Sequence, residues 1–205
     1  RAFAFPDQFL THTPEAGTLE RFLDPAEYAQ DHPGWYVKEN NQLSLQKTIC
    51  FSDEKLRDAL TREVINAIVS AAGASSETRA TVFMDPAGTI LDMSPPADVK
   101  PCGCEQCRAR NTRLAAPAAA FLKLFNETAR TIRETWPREN FRIHAKLDGY
   151  YRKPPHDFAL QENGIIELST RAANRALPLE NSDAPANAAF QRDLERWGEC
   201  GGTLW

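Results

Sequence analysis

Three of the chain's five cysteines lie within six consecutive positions, at Cys102, Cys104 and Cys107, and this cluster constrains the fold more than any other feature. Thiols this close in sequence converge most readily on a soft metal ion or in a disulfide. A fourth cysteine, Cys50, lies in a strand-like run over residues 44–52, so the four together can supply a tetrahedral thiolate site. The spacing is not the paired Cys-x-x-Cys of common zinc sites. Three interpretations therefore stay open: a structural zinc ion, one disulfide that includes Cys50, or buried free thiols.

The composition is that of an ordinary globular protein, and it excludes several classes of function. Of the 205 residues 42% are apolar and 25% are charged, with a net charge of −4. This charge provides no basic field for nucleic acid or an anionic membrane, and no stretch approaches the roughly 18 consecutive apolar residues of a membrane span. The sequence lacks a starting Met and looks cut at both ends, so we expect an internal piece whose partner is the remainder of a longer polypeptide.

Strand-like and helix-like segments alternate along the chain, which predicts an α/β fold with parallel strands in a single domain over residues 1–205. An apolar residue at every fourth position marks the first helix, at Leu56, Leu60, Val64 and Ile68. We expect the other elements to be strands at residues 44–52, 81–84, 141–147 and 164–168, helices at residues 117–136 and 185–197, and a long irregular cysteine-bearing insertion at 86–113.

Carboxylates stand at or near the ends of three expected strands, at Asp85, Asp148 and Glu167. Because the carboxyl ends of parallel strands form one rim, we expect these groups to converge there together with Cys50. Cleavage of a glycosidic bond needs two such groups, one to protonate the leaving oxygen and one to attack the sugar or activate water. The competing interpretation is structural, since each aspartate also favours a turn.

Several motifs together carry a family resemblance. The most specific is Met84-Asp85-Pro86-Ala87-Gly88 followed by Cys102, Cys104 and Cys107. The others are His12, Leu23-Asp24-Pro25, Tyr28, His32-Pro33-Gly34-Trp35-Tyr36, Thr48-Ile49-Cys50-Phe51-Ser52, Tyr151-Arg152-Lys153-Pro154-Pro155, Asn187 and Phe190-Gln191-Arg192-Asp193-Leu194-Glu195-Arg196-Trp197. With these motifs the chain resembles, over nearly its whole length, the bacterial family catalogued as domain of unknown function 4838.

The resemblance implies a partial (β/α)₈ TIM-barrel-like fold, because such domains sit in large proteins that look like α-glucuronidases and other glycoside hydrolases. It also implies a carbohydrate as ligand or substrate and a periplasmic or extracellular location. The chain departs from the family pattern where Pro86 interrupts an aspartate-glycine pair. It departs again at Arg171-Ala172-Ala173-Asn174, where the family tends to carry a cysteine and a histidine.

Four further residues are candidate sugar contacts. His12 resembles an early histidine of the family, and Tyr150 and Tyr151 lie near a turn, where aromatic rings can stack on sugar faces. Arg171 can bind a uronate carboxylate as a bidentate fork. The alternatives are packing for the tyrosines and an ion pair with Glu167 or Glu180 for Arg171.

The sequence thus predicts a glycoside hydrolase-like domain of a bacterial polysaccharide-processing protein. Two other interpretations remain: a carbohydrate-binding barrel without catalysis, and a structural domain stapled by a metal ion.

Overall fold

The structure is a computed structural model that describes Leu19 and residues 22–36, 38–39, 42–43, 49–71, 82–85, 88–96 and 99–204. Its main element is a sheet whose strands lie in the order β3 (Val82–Asp85), β4 (Gly88–Asp92), β5 (Phe141–Leu147), β6 (Gly164–Leu168) and β7 (Thr203–Leu204). A separate antiparallel pair is formed by β1 (Lys38–Glu39) and β2 (Gln42–Leu43).

Four strands of the main sheet, from β4 to β7, are parallel. The helices between and before them are α1 (Pro25–Tyr28), α2 (Glu54–Ala71), α3 (Glu105–Arg113), α4 (Ala119–Thr135) and α5 (Pro185–Glu199), with 3₁₀ turns at Pro33–Trp35 and Gly149–Tyr151. The expected α/β architecture, with parallel strands alternating with helices as in part of a (β/α)₈ barrel, is confirmed. Among the helices described, none is long and apolar enough to cross a membrane.

The apolar residues of β5 face α4. Ile143, Ala145 and Leu147 of β5 are fully buried and belong to one core with Phe121 and Phe125 of α4. This follows from the two-residue period of a strand, which sends alternate side chains to opposite faces of the sheet. The even-numbered residues of β5 are therefore presented on the face away from α4.

Three aromatic rings join the start of α2 to α4 and to the end of β5. Phe51 lies 5.5 Å from Phe121 and 6.4 Å from Tyr151 between ring centroids, and Phe121 lies 5.8 Å from Tyr151. All three pairs are edge-to-face, which is a favoured geometry for aromatic rings. This cluster fixes the position of Cys50, the residue before Phe51.

The segment 86–113 is not an irregular insertion, as the sequence led us to expect. It contains β4 and α3, and β4 pairs in parallel with β5. The turn residues after Asp85 made the preceding strand look like the last regular element before the cysteines. In the structure β3 and β4 pair in the antiparallel direction, so the segment supplies a further strand of the sheet.

This antiparallel pairing moves Asp85 away from the expected rim. Strands β3 and β4 are antiparallel, with Asp85 paired to Gly88, and the next residue, Thr89, is paired with Phe141 at the start of β5. Asp85 therefore lies at the amino-terminal end of the parallel strands, whereas Asp148 follows the carboxyl end of β5. The expectation that Asp85 shares one rim with Asp148 and Glu167 is wrong, because an antiparallel strand ends at the opposite edge.

The connection between α5 and β7 depends on a glycine, which gives a test of the fold. Gly202 has a φ of +71°, and a Cβ placed on it would lie 2.8 Å from Leu160 Cγ. We expect Gly202→Ala to lower the free energy of unfolding by about 1–3 kcal/mol, because both the backbone conformation and the contact become unfavourable. Urea unfolding followed by circular dichroism measures this change.

The matched control is Gly198→Ala in α5, where a Cβ meets no atom within 4 Å. This variant should be neutral or slightly stabilising, by up to about 1 kcal/mol, because alanine favours the helix. Equal destabilisation by the two substitutions would contradict the close packing of Gly202 against Leu160.

Candidate metal centre and strand-end site

Four cysteine sulfurs converge on one point. The Sγ atom of Cys50 lies 3.7 Å from that of Cys104 and 4.0 Å from that of Cys107. With Cys102, the four sulfurs all lie within 4.8 Å of one another. All five cysteines of the chain are free thiols, so the disulfide considered from the sequence is not formed. The convergence expected for the four thiols is present, and they can hold a metal ion.

Local structure places each thiol. Cys104 is the N-cap of α3, and its Sγ accepts a hydrogen bond from the backbone N–H of Cys107 at 3.5 Å. This arrangement brings Cys102, Cys104 and Cys107 onto one side of the helix start. Cys50 is held separately, because its backbone N–H donates to the carbonyl of Trp35 at 2.8 Å.

Polar side chains lie beside Cys107, the most buried of the four thiols, and favour its deprotonated form. The Ser52 Oγ lies 3.0 Å from Cys107 Sγ, and it accepts a hydrogen bond from Arg110 Nη1 at 3.4 Å. Hydrogen bonds from the thiols of Cys102 and Cys50, and from Ser52, lower the pKa of Cys107. Hydrogen bonds with Cys107 and Cys50 raise the pKa of Cys102. Cys107 therefore becomes a thiolate more readily than Cys102.

The separations fit a single ion rather than a cluster. A zinc ion with sulfur ligands at about 2.3 Å places the four sulfurs about 3.8 Å apart, so the observed set needs to contract by no more than about 1 Å. A four-iron cluster would spread the sulfurs further, since each would bind a different iron. Cys102 and Cys107 are buried, and three of the four cysteines (Cys50, Cys102 and Cys104) border a surface pocket of about 520 Å³ that also includes Tyr36.

A second polar site lies on the face of the sheet away from α4. Its centre is His144, which is fully buried. Its Nδ1 lies 2.9 Å from Asp92 Oδ1 and its Nε2 lies 3.3 Å from Glu167 Oε2. Lys146 Nζ lies 2.8 Å from Glu167 Oε1. The strand register explains this arrangement, because Asp92 is paired with His144 and Lys146 with Glu167.

The charges in this network oppose the effect of burial. Burial alone would lower the pKa of His144, but hydrogen bonds and charge from Asp92 and Glu167 outweigh it, so that the pKa is raised. Burial alone would raise the pKa of Glu167, but His144 and Lys146 lower it overall. The geometry thus favours an imidazolium between two carboxylates.

Asp148 and Arg171 form an ion pair at the carboxyl end of β5. Arg171 Nε lies 2.7 Å from Asp148 Oδ2, and Asp148 Oδ1 accepts a hydrogen bond from the backbone N–H of Gly149 at 2.7 Å. The Asp148 side chain is 7% exposed and the Arg171 side chain 51%. Arg171 is therefore paired with a carboxylate other than Glu167 or Glu180, the two considered from the sequence.

The other residues predicted from the sequence as sugar contacts or catalytic groups do not share one environment. Tyr150 is 42% exposed, whereas Tyr151 is fully buried among aromatic rings and offers no face to a sugar. His12 lies outside the described residues, and Asp85 stands at the far end of the sheet. Of the three carboxylates predicted as catalytic, two, Asp148 and Glu167, follow or belong to adjacent parallel strands.

Three residues of the strand-end network were not predicted from the sequence: Asp92, His144 and Lys146. A signal for two of them was present, because residues 141–147 alternate between apolar side chains and Arg142, His144 and Lys146. That alternation predicts a polar face. Asp92 was missed since the segment that contains it was expected to be irregular.

The His144 network predicts how stability depends on pH. A raised pKa contributes stability that is fully present below the unfolded-state value, about 6.5, and is lost as the pH rises through the folded-state value. Glu167, whose pKa is lowered, contributes stability that is lost as the pH falls below its unfolded-state value of about 4.3. We therefore expect stability to decline above about pH 6.5, measured by urea unfolding up to about pH 8.

Asp92→Asn should reduce this decline, because it removes the negative charge beside His144. The control is Asp193→Asn, which removes a carboxylate paired with Arg152 instead of with a histidine. Parallel pH profiles for wild type and Asp92→Asn would contradict the assignment of the alkaline loss to His144.

The chain matches a known protein family over nearly its whole length. The family model described as domain of unknown function (DUF4838) matches residues 4–204. No curated protein and no solved structure matches the chain. Because the family match extends over nearly all of the 205 residues, the chain belongs to the DUF4838 family.

Proposed function

We propose that the domain binds one zinc ion through Cys50, Cys102, Cys104 and Cys107, and that the ion has a structural role. The observation that carries this proposal is the convergence of four sulfurs within 4.8 Å. Four thiolates complete the tetrahedron and leave no position for water or substrate. The ion therefore fastens the start of α3 to the segment before α2, which are 52 residues or more apart in sequence.

The surroundings support a bound cation. Four thiolates around Zn²⁺ carry a net charge of −2, and hydrogen bonds to the sulfurs offset part of it. The backbone N–H of Cys107 donates to Cys104, and Ser52, which receives a hydrogen bond from Arg110, lies beside Cys107. These donors come from the same segments that supply the thiols.

Elemental analysis of purified protein tests the metal centre. We expect about one zinc ion per chain, and Cys107→Ser should lose it, because serine is a poor zinc ligand. Loss of the ion should lower the melting temperature by roughly 5–10 °C, as expected for about 2–3 kcal/mol in a domain of this size. The melting temperature is followed by scanning calorimetry.

The matched control is Cys200→Ser. Cys200 is also buried and free, but its Sγ donates to the carbonyl of Arg196 and it does not belong to the four-sulfur set. This variant should keep the zinc. Protein that contains no stoichiometric metal, or wild-type metal content in Cys107→Ser, would refute the proposed centre.

A second proposal concerns the rim of the sheet. We propose that Glu167 and Asp148 hydrolyse a glycosidic bond in a polysaccharide, as the resemblance to glycoside hydrolase-like proteins implies. In support, both carboxylates come from the carboxyl ends of adjacent parallel strands, where α/β barrels place their active sites. Because Arg171 pairs with Asp148, that pair must open and Asp148 must take up a proton from solvent before it can act as the acid.

Activity against uronate-bearing polysaccharides tests this function, with released reducing ends as the measurement. Glu167→Gln should lower turnover by about 10²–10⁴-fold, because it removes one of the two groups that transfer protons. The control is Glu162→Gln, which changes an exposed glutamate paired with Arg133. Binding without cleavage by the wild type would favour the carbohydrate-binding alternative.

A further inference from the structure

His144 lies between two carboxylates, one of which, Glu167, takes part in the proposed hydrolysis. Each ring nitrogen lies near a different carboxylate, Nδ1 at 2.9 Å from Asp92 and Nε2 at 3.3 Å from Glu167. Ionised carboxylates only accept hydrogen bonds, and a neutral imidazole has one N–H to donate. With two protons, His144 donates a hydrogen bond from Nδ1 to Asp92 and faces the Glu167 carboxylate with its positive charge at ion-pair distance. This position between two carboxylates favours a buried imidazolium.

Asp92 is the immobile end of the row formed by the side chains of Asp92, His144 and Glu167. Its side chain is fully buried, and its Oδ1 accepts a hydrogen bond from the Ser94 hydroxyl at 2.5 Å as well as from His144. Ser94 Oγ in turn accepts from the backbone N–H of Lys146 at 2.8 Å. These contacts tie Asp92 to β5 and leave it no freedom to follow a ligand.

Glu167 is the end that reaches the solvent. Its side chain is 22% exposed, and its two oxygens are engaged by two cations, Oε2 by His144 and Oε1 by Lys146. With Asp92 and Glu167 negative and His144 and Lys146 positive, the four groups carry no net charge. A neutral set of this kind is the form in which buried charges are tolerated.

The arrangement does not suit a metal ion. The two nitrogens of an imidazole point in opposite directions, so Asp92 and Glu167 lie on opposite sides of the ring. Three ligands to one ion would need to point to a common position. The two carboxylates on opposite sides of the ring instead favour a second proton on His144.

We infer that Asp92 and His144 are positioning residues that hold Glu167 as an ionised carboxylate, so that Glu167 accepts a proton during the reaction and does not donate one. The inference rests on the hydrolysis proposed above. In that reaction Glu167 takes a proton from water, the water oxygen bonds to the anomeric carbon, and the glycosidic bond breaks. The leaving oxygen takes a proton from Asp148, which has first separated from Arg171 and taken that proton from solvent water. Glu167 afterwards returns its proton to solvent, so atoms and charges balance over the cycle.

NMR spectroscopy of the full chain tests this inference without any substrate. In the wild type both ring nitrogens of His144 should remain protonated at about pH 7.5, above the ordinary imidazole pKa of about 6.5. In Asp92→Asn, His144 should become neutral at that pH, and the titration of the Glu167 side-chain carboxyl should move upward by about 1 pH unit. A neutral His144 in the wild type, or an unmoved Glu167 titration in Asp92→Asn, would overturn the inference.

Two further measurements keep the test decisive. If Asp92→Asn does not fold, Glu167→Gln is used in its place, because the Glu167 side chain is partly exposed and is easier to replace. In this variant His144 should lose its second proton at a lower pH than in the wild type. His156→Gln, which changes an exposed histidine near Arg196, should leave the His144 signals unchanged. If His144 kept the wild-type titration in Glu167→Gln, the coupling between the two residues would be refuted.

The positioning role of His144 and the proposed hydrolysis can fail independently of each other. Spectra as expected, with no cleavage of any glycan by the wild type, would refute the hydrolytic proposal and leave the positioning role intact. Cleavage by a wild type whose His144 is neutral would do the reverse.

Discussion

Parallel pairing of β4, β5 and β6 is the constraint on which the strand-end site depends. The register sets Asp92 beside His144 and Lys146 beside Glu167. Since paired residues of neighbouring strands point to the same face, this register alone assembles the four charged groups. A shift by one residue would turn them toward α4 and would bring Ile143, Ala145 and Leu147 to the other face.

The four thiols are positioned by interactions other than strand register. Cys102, Cys104 and Cys107 are brought together by the short segment that begins α3, whereas Cys50 is positioned by long-range packing of its neighbour Phe51. A metal ion would join these two segments through bonds much stronger than the thiol contacts. The domain therefore combines an apolar core under the sheet with a thiolate set beside it.

Much of the fold could be predicted from the sequence, because its elements have strong periodic patterns. The strands at residues 141–147 and 164–168 were placed with the bounds found in the structure, and the buried faces of α2 and α4 followed from their apolar repeats. The hairpin of β3 and β4 was not predicted. Turn residues show where a chain bends, but they do not show whether the next segment pairs with the strand before it.

The candidate site was predictable only in part for the same reason. The sequence by itself determined which residues have suitable chemistry: four thiols with convergent spacing, and Glu167 and Asp148 at strand ends. Tertiary structure alone decided that Asp85 lies at the opposite end of the sheet, that Tyr151 is buried, and that Asp92 and His144 stand behind Glu167. The physical reason is that these relations depend on strand direction and register, which arise from hydrogen bonds between residues distant in sequence.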